Sequence, residues 1–145
     1  MILVGPEETE AFGRLLASRL RSGDVVALFG DLGAGKTTLA RGILAGLGHE
    51  GEVASPTFPI VIPYETLRLP AWHVDLYRLE DPAEIDELAL DEALADGVLL
   101  LEWPERMGLR LWPNSLRLTL RRQGEGARAL TAEVPAAWES RWPPR

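Results

Sequence analysis

The chain has no cysteine, one lysine, one asparagine and one glutamine. Without cysteine, disulfides and thiolate metal sites are excluded. The shortage of Asn and Gln adds to a bias seen in proteins of thermophiles. No apolar run approaches the ~20 residues that a membrane helix needs. Positive charge is scarce as well: 15 basic against 22 acidic residues leave a formal net charge of −7. Phosphate contacts need clustered Lys and Arg, so a basic face for nucleic acid is not expected of the molecule as a whole, and only local basic patches stay open. The densest basic group, Arg117, Arg121, Arg122 and Arg128, reads as solvated strand faces. Met1 to Glu10 is acidic and lacks the basic region of a signal peptide. A cytoplasmic protein without membrane association is the expectation.

What remains is ample for a core. With 145 residues, 46% of them hydrophobic, the chain fits a single domain spanning 1–145. Phe12, Leu15, Leu16 and Leu20 follow helical spacing after Pro6, and Gly23 ends that helix. Val25 to Phe29 reads as a buried strand, followed by a helix from Lys36 to Leu47 with Gly48 as its stop. Residues 58–64 and 71–77 form an expected hairpin turning at Leu67–Pro70. Asp81-Pro82-Ala83-Glu84 has the form of a helix start, with Asp81 as cap. That helix, or a broken pair, runs to about Ala95. Val98–Leu101 is a second continuous apolar strand. Residues 115–122 and 127–134 alternate around Gln123–Gly126, a second hairpin. The tail from Pro135 to Arg145, rich in Pro, Trp and Arg, has no assignment. Apolar strands alternating with helices predict an α/β fold, and the hairpins make its sheet a mixed parallel and antiparallel one flanked by helices.

Gly30-Asp31-Leu32-Gly33-Ala34-Gly35-Lys36-Thr37 matches the phosphate-binding pattern G-x-x-x-x-G-K-[ST], between a strand and a helix as that pattern requires. Its glycines let backbone N–H groups converge on phosphate oxygens, and the following helix adds its positive end. Lys36 is expected on the β- and γ-phosphates of ATP, and Thr37 on Mg²⁺. The only lysine thus falls where a slim ammonium fits better than a planar guanidinium.

A hydrated Mg²⁺ takes one or two carboxylates beside the phosphates. Asp75 and Glu102 both end apolar runs, and a carboxylate there lies at the ligand-binding edge of an α/β sheet. Glu102 ranks slightly higher because its strand reads as parallel and central. Alternation places His73, Asp75 and Tyr77 on one strand face. Thr57, in Ser55-Pro56-Thr57, is either a plain turn residue or one that senses the γ-phosphate or completes the Mg²⁺ shell. Trp103 is either core or an aromatic at the site's mouth, available to a partner.

Four blocks, Gly-Asp-Leu-Gly-Ala-Gly-Lys-Thr-Thr at 30–38, Ser-Pro-Thr-Phe at 55–58, His-x-Asp-Leu-Tyr-Arg at 73–78 and Glu-Trp-Pro-Glu at 102–105, resemble the TsaE (YjeE) family. These are small bacterial P-loop ATPases of tRNA threonylcarbamoyladenosine synthesis. The resemblance spans nearly the whole chain. It implies ATP and ADP binding with Mg²⁺, slow hydrolysis, and action on the TsaB–TsaD heterodimer between turnovers, with tRNA engaged only through those partners. Carried over, Asp31, Leu32, Gly33, Ala34, Gly35, Lys36, Thr37 and Thr38 hold the nucleotide, with Thr57 in a switch-like loop. Asp75 and Glu102 join Thr37 at the metal and, with Lys36, carry catalysis. Ala127 and Arg128 lie near the adenine, Glu8 and Thr9 line the same pocket, and Trp103 faces a partner.

A small-molecule kinase and a nucleotide-gated binding module stay open from the residues alone. The first needs a basic lid, and the arginines are scattered. A GTPase would commonly carry Asn-Lys-x-Asp, for which no lysine is left.

Overall fold

The computed structural model describes residues 1–53 and 61–145. Thr57, and residues 58–60 of the first expected hairpin, lie outside the described residues.

Seven strands form one sheet: β1 (Ile2–Val4), β2 (Val25–Phe29), β3 (Val61–Tyr64), β4 (Ala71–Asp75), β5 (Val98–Glu102), β6 (Leu116–Arg122) and β7 (Ala127–Glu133), in the order β1-β7-β6-β2-β5-β4-β3. The central strands β6, β2, β5 and β4 run parallel, while β7, β1 and β3 pair antiparallel at the two sides. The mixed α/β sheet is therefore the one the sequence predicts.

Three α-helices accompany it: α1 (Gly5–Ala17), α2 (Lys36–Gly46) and α3 (Leu90–Asp96). β2 and β5 are apolar throughout because both sheet faces are covered. Val26, Leu28 and Leu100 join Leu16, Leu39 and Ile43 of α1 and α2 in one core. Val25, Ala27, Leu99 and Leu101 join Ile85, Leu90 and Met107 in the other. Where α1 crosses α2 the backbones nearly touch. A Cβ on Gly13 would lie 2.7 Å from the Leu39 carbonyl oxygen, and one on Gly42 would meet the Glu10 backbone. Gly5 and Gly35, both with positive φ, open α1 and cap α2.

Several boundaries differ from the sequence reading. The first helix ends at Ala17 rather than running to Gly23, and Ser18 Oγ donates to the Leu15 carbonyl at its end. β4 stops at Asp75 instead of 77, because the Asp75 carboxylate accepts the Tyr77 N–H at 2.9 Å and turns the chain. Tyr77 accordingly leaves the face that His73 and Asp75 share. The segment after Asp81 is the broken pair: a 3₁₀ stretch Pro82–Leu88, then α3, divided at Ala89 with φ 55°. Asp81 does cap it, accepting from Ala83 N. Three elements escaped the pattern: β1, a 3₁₀ segment Pro104–Arg110, and a 3₁₀ turn Ala136–Trp138 in the tail. Among the described residues, no helix is long and apolar enough to cross a membrane.

Candidate functional site

Parallel pairing brings three strand ends to one edge. Glu102 of β5 is in register with Leu28 of β2 on one side and with Asp75 of β4 on the other. β2 then passes into the glycine-rich loop, whose Gly30, Gly33 and Gly35 all have positive φ, 146°, 77° and 109°. A side chain at such angles is strained. Gly30 has no room either, since a Cβ would lie 2.6 Å from the Leu120 carbonyl oxygen. The loop thus folds as it does because glycine stands where the backbone must reverse.

α2 begins at Lys36, so Thr37 sits in its first turn, above the ends of β5 and β4. Thr37 Oγ1 lies 3.1 Å from both Glu102 oxygens. The far oxygen, Oε2, is also 2.6 Å from His73 Nε2. Lys36 Nζ donates to the Gly30 carbonyl at 2.5 Å and lies 3.4 Å from the centre of the Trp103 ring. Trp103 is held by a left-handed backbone (φ 59°, ψ 47°), an uncommon state for an aromatic residue that concentrates at functional sites. Its ring also packs against Tyr77, with centroids 4.9 Å apart and planes tilted by 46°. Trp103 packs against the core under the sheet and also lines the cleft.

Charge is concentrated here under poor solvation. Burial lowers the Lys36 pKa, against the opposing pull of Glu102, Glu105, Asp75 and Asp31. Asp75 is pushed up, first by burial and further by the Glu102 charge, with the Tyr77 N–H and Lys36 opposing. Buried charge disfavours ionisation and a neighbouring like charge adds to it.

The cleft over these groups has a volume of about 350 Å³ and is lined by Gly33, Gly35, Lys36, Thr37, Thr38, Asp75, Glu102, Trp103 and Arg128, together with Tyr77 and Arg78. Leu32 is exposed at its rim and Asp31 is exposed beside a second cleft across the loop. Arg128 is no solvated strand residue: its Nε donates to the Ala34 carbonyl at 2.9 Å and Nη2 to that of Gly33 at 3.3 Å. It ties β7 to the outside of the loop. Thr9, Gly5, Thr38, Gly126 and Arg128 enclose a smaller adjoining hollow of about 170 Å³. Ala127 starts β7 beside it and is half-buried. Glu8 turns elsewhere, accepting the Val4 N–H at 3.2 Å at the start of α1.

The donor set fits a magnesium ion accompanied by phosphate. The Thr37 hydroxyl and the Glu102 carboxylate, with Asp75 beside them, offer only oxygen, as a hard cation requires. The Thr37 proton faces Glu102, which leaves its oxygen lone pairs for a cation. Among the described residues no group of three or more His, Asp or Glu side chains forms a self-sufficient metal cage. Mg²⁺ characteristically completes its shell with water and substrate phosphate instead.

Residues 3–130 match the model of the family described as threonylcarbamoyl adenosine biosynthesis protein TsaE. The chain belongs to the TsaE family. The family member from Bacillus subtilis is 43% identical over 129 residues, covering 88% of this chain and 80% of that protein. The Streptomyces coelicolor member is 48% identical over 113 residues, 76% of either chain. Both bear the name tRNA threonylcarbamoyladenosine biosynthesis protein TsaE. The crystal structure of YdiB from Bacillus subtilis superposes with a TM-score of 0.82 at 35% identity, covering 97% of this chain and 87% of that one.

Alternation put His73 and Tyr77 on the strand face of Asp75, and Arg78 stood out only as a member of the 73–78 block. Periodicity gave no sign that the imidazole meets Glu102 or that Arg78 borders the cleft, because both follow from which strand lies beside which.

Proposed function

We propose that this chain is a Mg²⁺-dependent ATPase that serves tRNA threonylcarbamoyladenosine synthesis by acting on the TsaB–TsaD heterodimer between turnovers. One observation carries the reading: Lys36 and Thr37 of a glycine-rich loop stand against two carboxylates, with Thr37 bonded to Glu102.

In this reading the loop N–H groups and Lys36 hold the triphosphate and offset its charge. Thr37 and Glu102 serve the metal side, since the hydroxyl and carboxylate already share a hydrogen bond. Bound Mg²⁺ would supply Lewis-acid stabilisation of charge on the phosphoryl oxygens. Asp75 serves the water side. Its raised pKa makes it a better proton acceptor than an ordinary aspartate, and it takes the proton of the attacking water as the bond from that water to the γ-phosphorus forms and the bond from the γ-phosphorus to the bridging oxygen breaks, releasing ADP and inorganic phosphate. The Thr9–Arg128 hollow receives the base. Trp103, at the mouth of the cleft, is the contact through which a partner senses the nucleotide. An acidic protein that reaches tRNA only through TsaB and TsaD needs no basic face, and it works in the cytoplasm.

The test is ATP hydrolysis with and without purified TsaB–TsaD, paired with co-elution. Slow hydrolysis alone, a changed rate with the heterodimer and ADP as product are expected. Glu102→Gln should retain nucleotide and lose Mg²⁺ dependence, whereas Asp75→Asn should retain both and lower kcat about 10²–10⁴-fold. An unchanged rate with no co-elution overturns the partner assignment.

A further inference from the structure

His73 is an imidazole in the wrong place for a packing residue. It is fully buried in β4, on the face that α2 covers, beside Leu100 of β5. A leucine or valine would fill such a position with no polar atom to satisfy. The ring makes one polar contact, Nε2 to Glu102 Oε2 at 2.6 Å. Among the described residues its other nitrogen, Nδ1, has no hydrogen-bond partner. A carboxylate only accepts, so Nε2 is the nitrogen that donates to Glu102.

The consequence lies at the far end of the carboxylate. A glutamate at a strand end has three side-chain torsions and can turn either edge to its neighbours. Here His73 fixes Oε2 from inside the sheet, and the carboxyl group then presents both oxygens to Thr37 at equal distance. The result is a relay from the sheet interior to the first turn of α2: His73, Glu102, Thr37.

We propose that His73 is a positioning residue that orients Glu102 toward Thr37 and so sets the affinity of the site for its divalent cation. This rests on reading the cleft as a magnesium–nucleotide site. Partners that orient a carboxylate near a metal typically alter metal affinity or activity 10–100-fold when removed. The nucleotide itself is held by the loop and Lys36, which His73 does not touch.

The experiment compares His73→Phe, His73→Asn and His73→Gln in the full chain, each first checked for a wild-type-like cooperative melt. Gln places an amide N–H near the position of Nε2, whereas Asn places one nearer Nδ1. ADP affinity is measured by calorimetry in EDTA, then across a Mg²⁺ titration. His73→Phe and His73→Asn should need about 10–100-fold more Mg²⁺ while binding ADP in EDTA as wild type does. His73→Gln should recover most of the metal affinity. In a Glu102→Gln background, His73→Phe should add nothing, because the two act in series. Long-range ¹H–¹⁵N spectra of the nucleotide-free protein should show hydrogen on Nε2, a readout independent of what the cleft binds. Equal impairment by Gln and Phe, additive loss with Glu102→Gln, or an Nε2 without hydrogen would overturn the proposal. Wild-type ADP binding that ignores Mg²⁺ would instead overturn the reading of the cleft, and this role of His73 with it.

Discussion

The ammonium of Lys36 lies over the ring of Trp103, 3.4 Å from its centre, so the lysine of the glycine-rich loop and the aromatic at the cleft mouth are in direct contact. Such a contact contributes about 0.5–2 kcal/mol according to its exposure. A triphosphate drawn to Lys36 competes for the same ammonium. Nucleotide addition should therefore change tryptophan emission, and Trp103→Phe should remove most of that change although four other tryptophans remain. Affinity in Trp103→Phe should stay within about fivefold, because a phenyl ring retains a weaker form of the contact. Lys36→Ala should abolish binding in calorimetry. A full emission change in Trp103→Phe would show that the signal arises elsewhere.

Asp75 should make the protein less stable at neutral pH than its packing permits. Its native pKa is raised above the ordinary 3.8 by burial and by Glu102. The native state therefore holds this proton to higher pH than the unfolded chain does. Where the native state binds more protons, stability falls as pH rises, so the penalty appears above pH 3.8 and is complete once the native carboxyl has ionised. Asp75→Asn should raise the melting temperature by roughly 2–4 °C at pH 8, with the gain shrinking toward acid and absent below the unfolded-state value. The same variant should lose hydrolysis, the usual exchange between function and stability at a strained site. Melting curves from pH 3 to 8 check both arms, and a gain independent of pH would remove the electrostatic cause.

The contact between α1 and α2 depends on Gly13 and Gly42, where an added Cβ falls against facing backbone rather than a movable side chain. Helix propensity alone would favour alanine over glycine by about 1 kcal/mol. Overpacking works against it and typically costs about 1–3 kcal/mol. Gly42→Ala should therefore destabilise in urea titration, opposite in sign to the propensity expectation. Because α2 carries Lys36 and Thr37 at its start, nucleotide affinity should weaken as well.

Much of this architecture is legible in the sequence because its signals are local. Val25–Phe29 and Val98–Leu101 are apolar without interruption, the glycines of the loop mark backbone reversals, and Asp81-Pro82 marks a helix start. Those features place the loop, the central strands and both acids at one sheet edge. Other features are set by neighbours distant in sequence and leave no local trace. Arg128 looks like a solvated strand residue until β7 is seen beside the loop. β1 has three residues, too few for alternation to register, and exists because β7 offers an edge. The 71–77 strand stops early because one carboxylate competes for the Tyr77 N–H. His73 gains its meaning only from the β4–β5 register.

The tail is the clearest such case, since nothing in Pro135–Arg145 announces where it packs. Trp138 is fully buried, and Arg141 donates to Asp24 through Nη1 at 2.6 Å and Nη2 at 3.1 Å. Its Nη1 also reaches the Arg19 carbonyl, and its guanidinium lies over the Trp138 ring at 3.9 Å. Both charged side chains are more than nine-tenths buried. Removing one member of such a pair strands the other charge and costs about 3–5 kcal/mol, whereas replacing both with well-packed neutral groups is often close to neutral. Arg141→Met should therefore lower stability in urea by about that much, and adding Asp24→Asn should recover a large part of it. The site lies far from this pair along the sheet, so the folded fraction of Arg141→Met should bind nucleotide with wild-type affinity. Recovery by the second substitution separates stranded charge from lost packing: if the double variant is no more stable than Arg141→Met, the stem and ring contacts of Arg141 anchor the tail, and the charge pair contributes little.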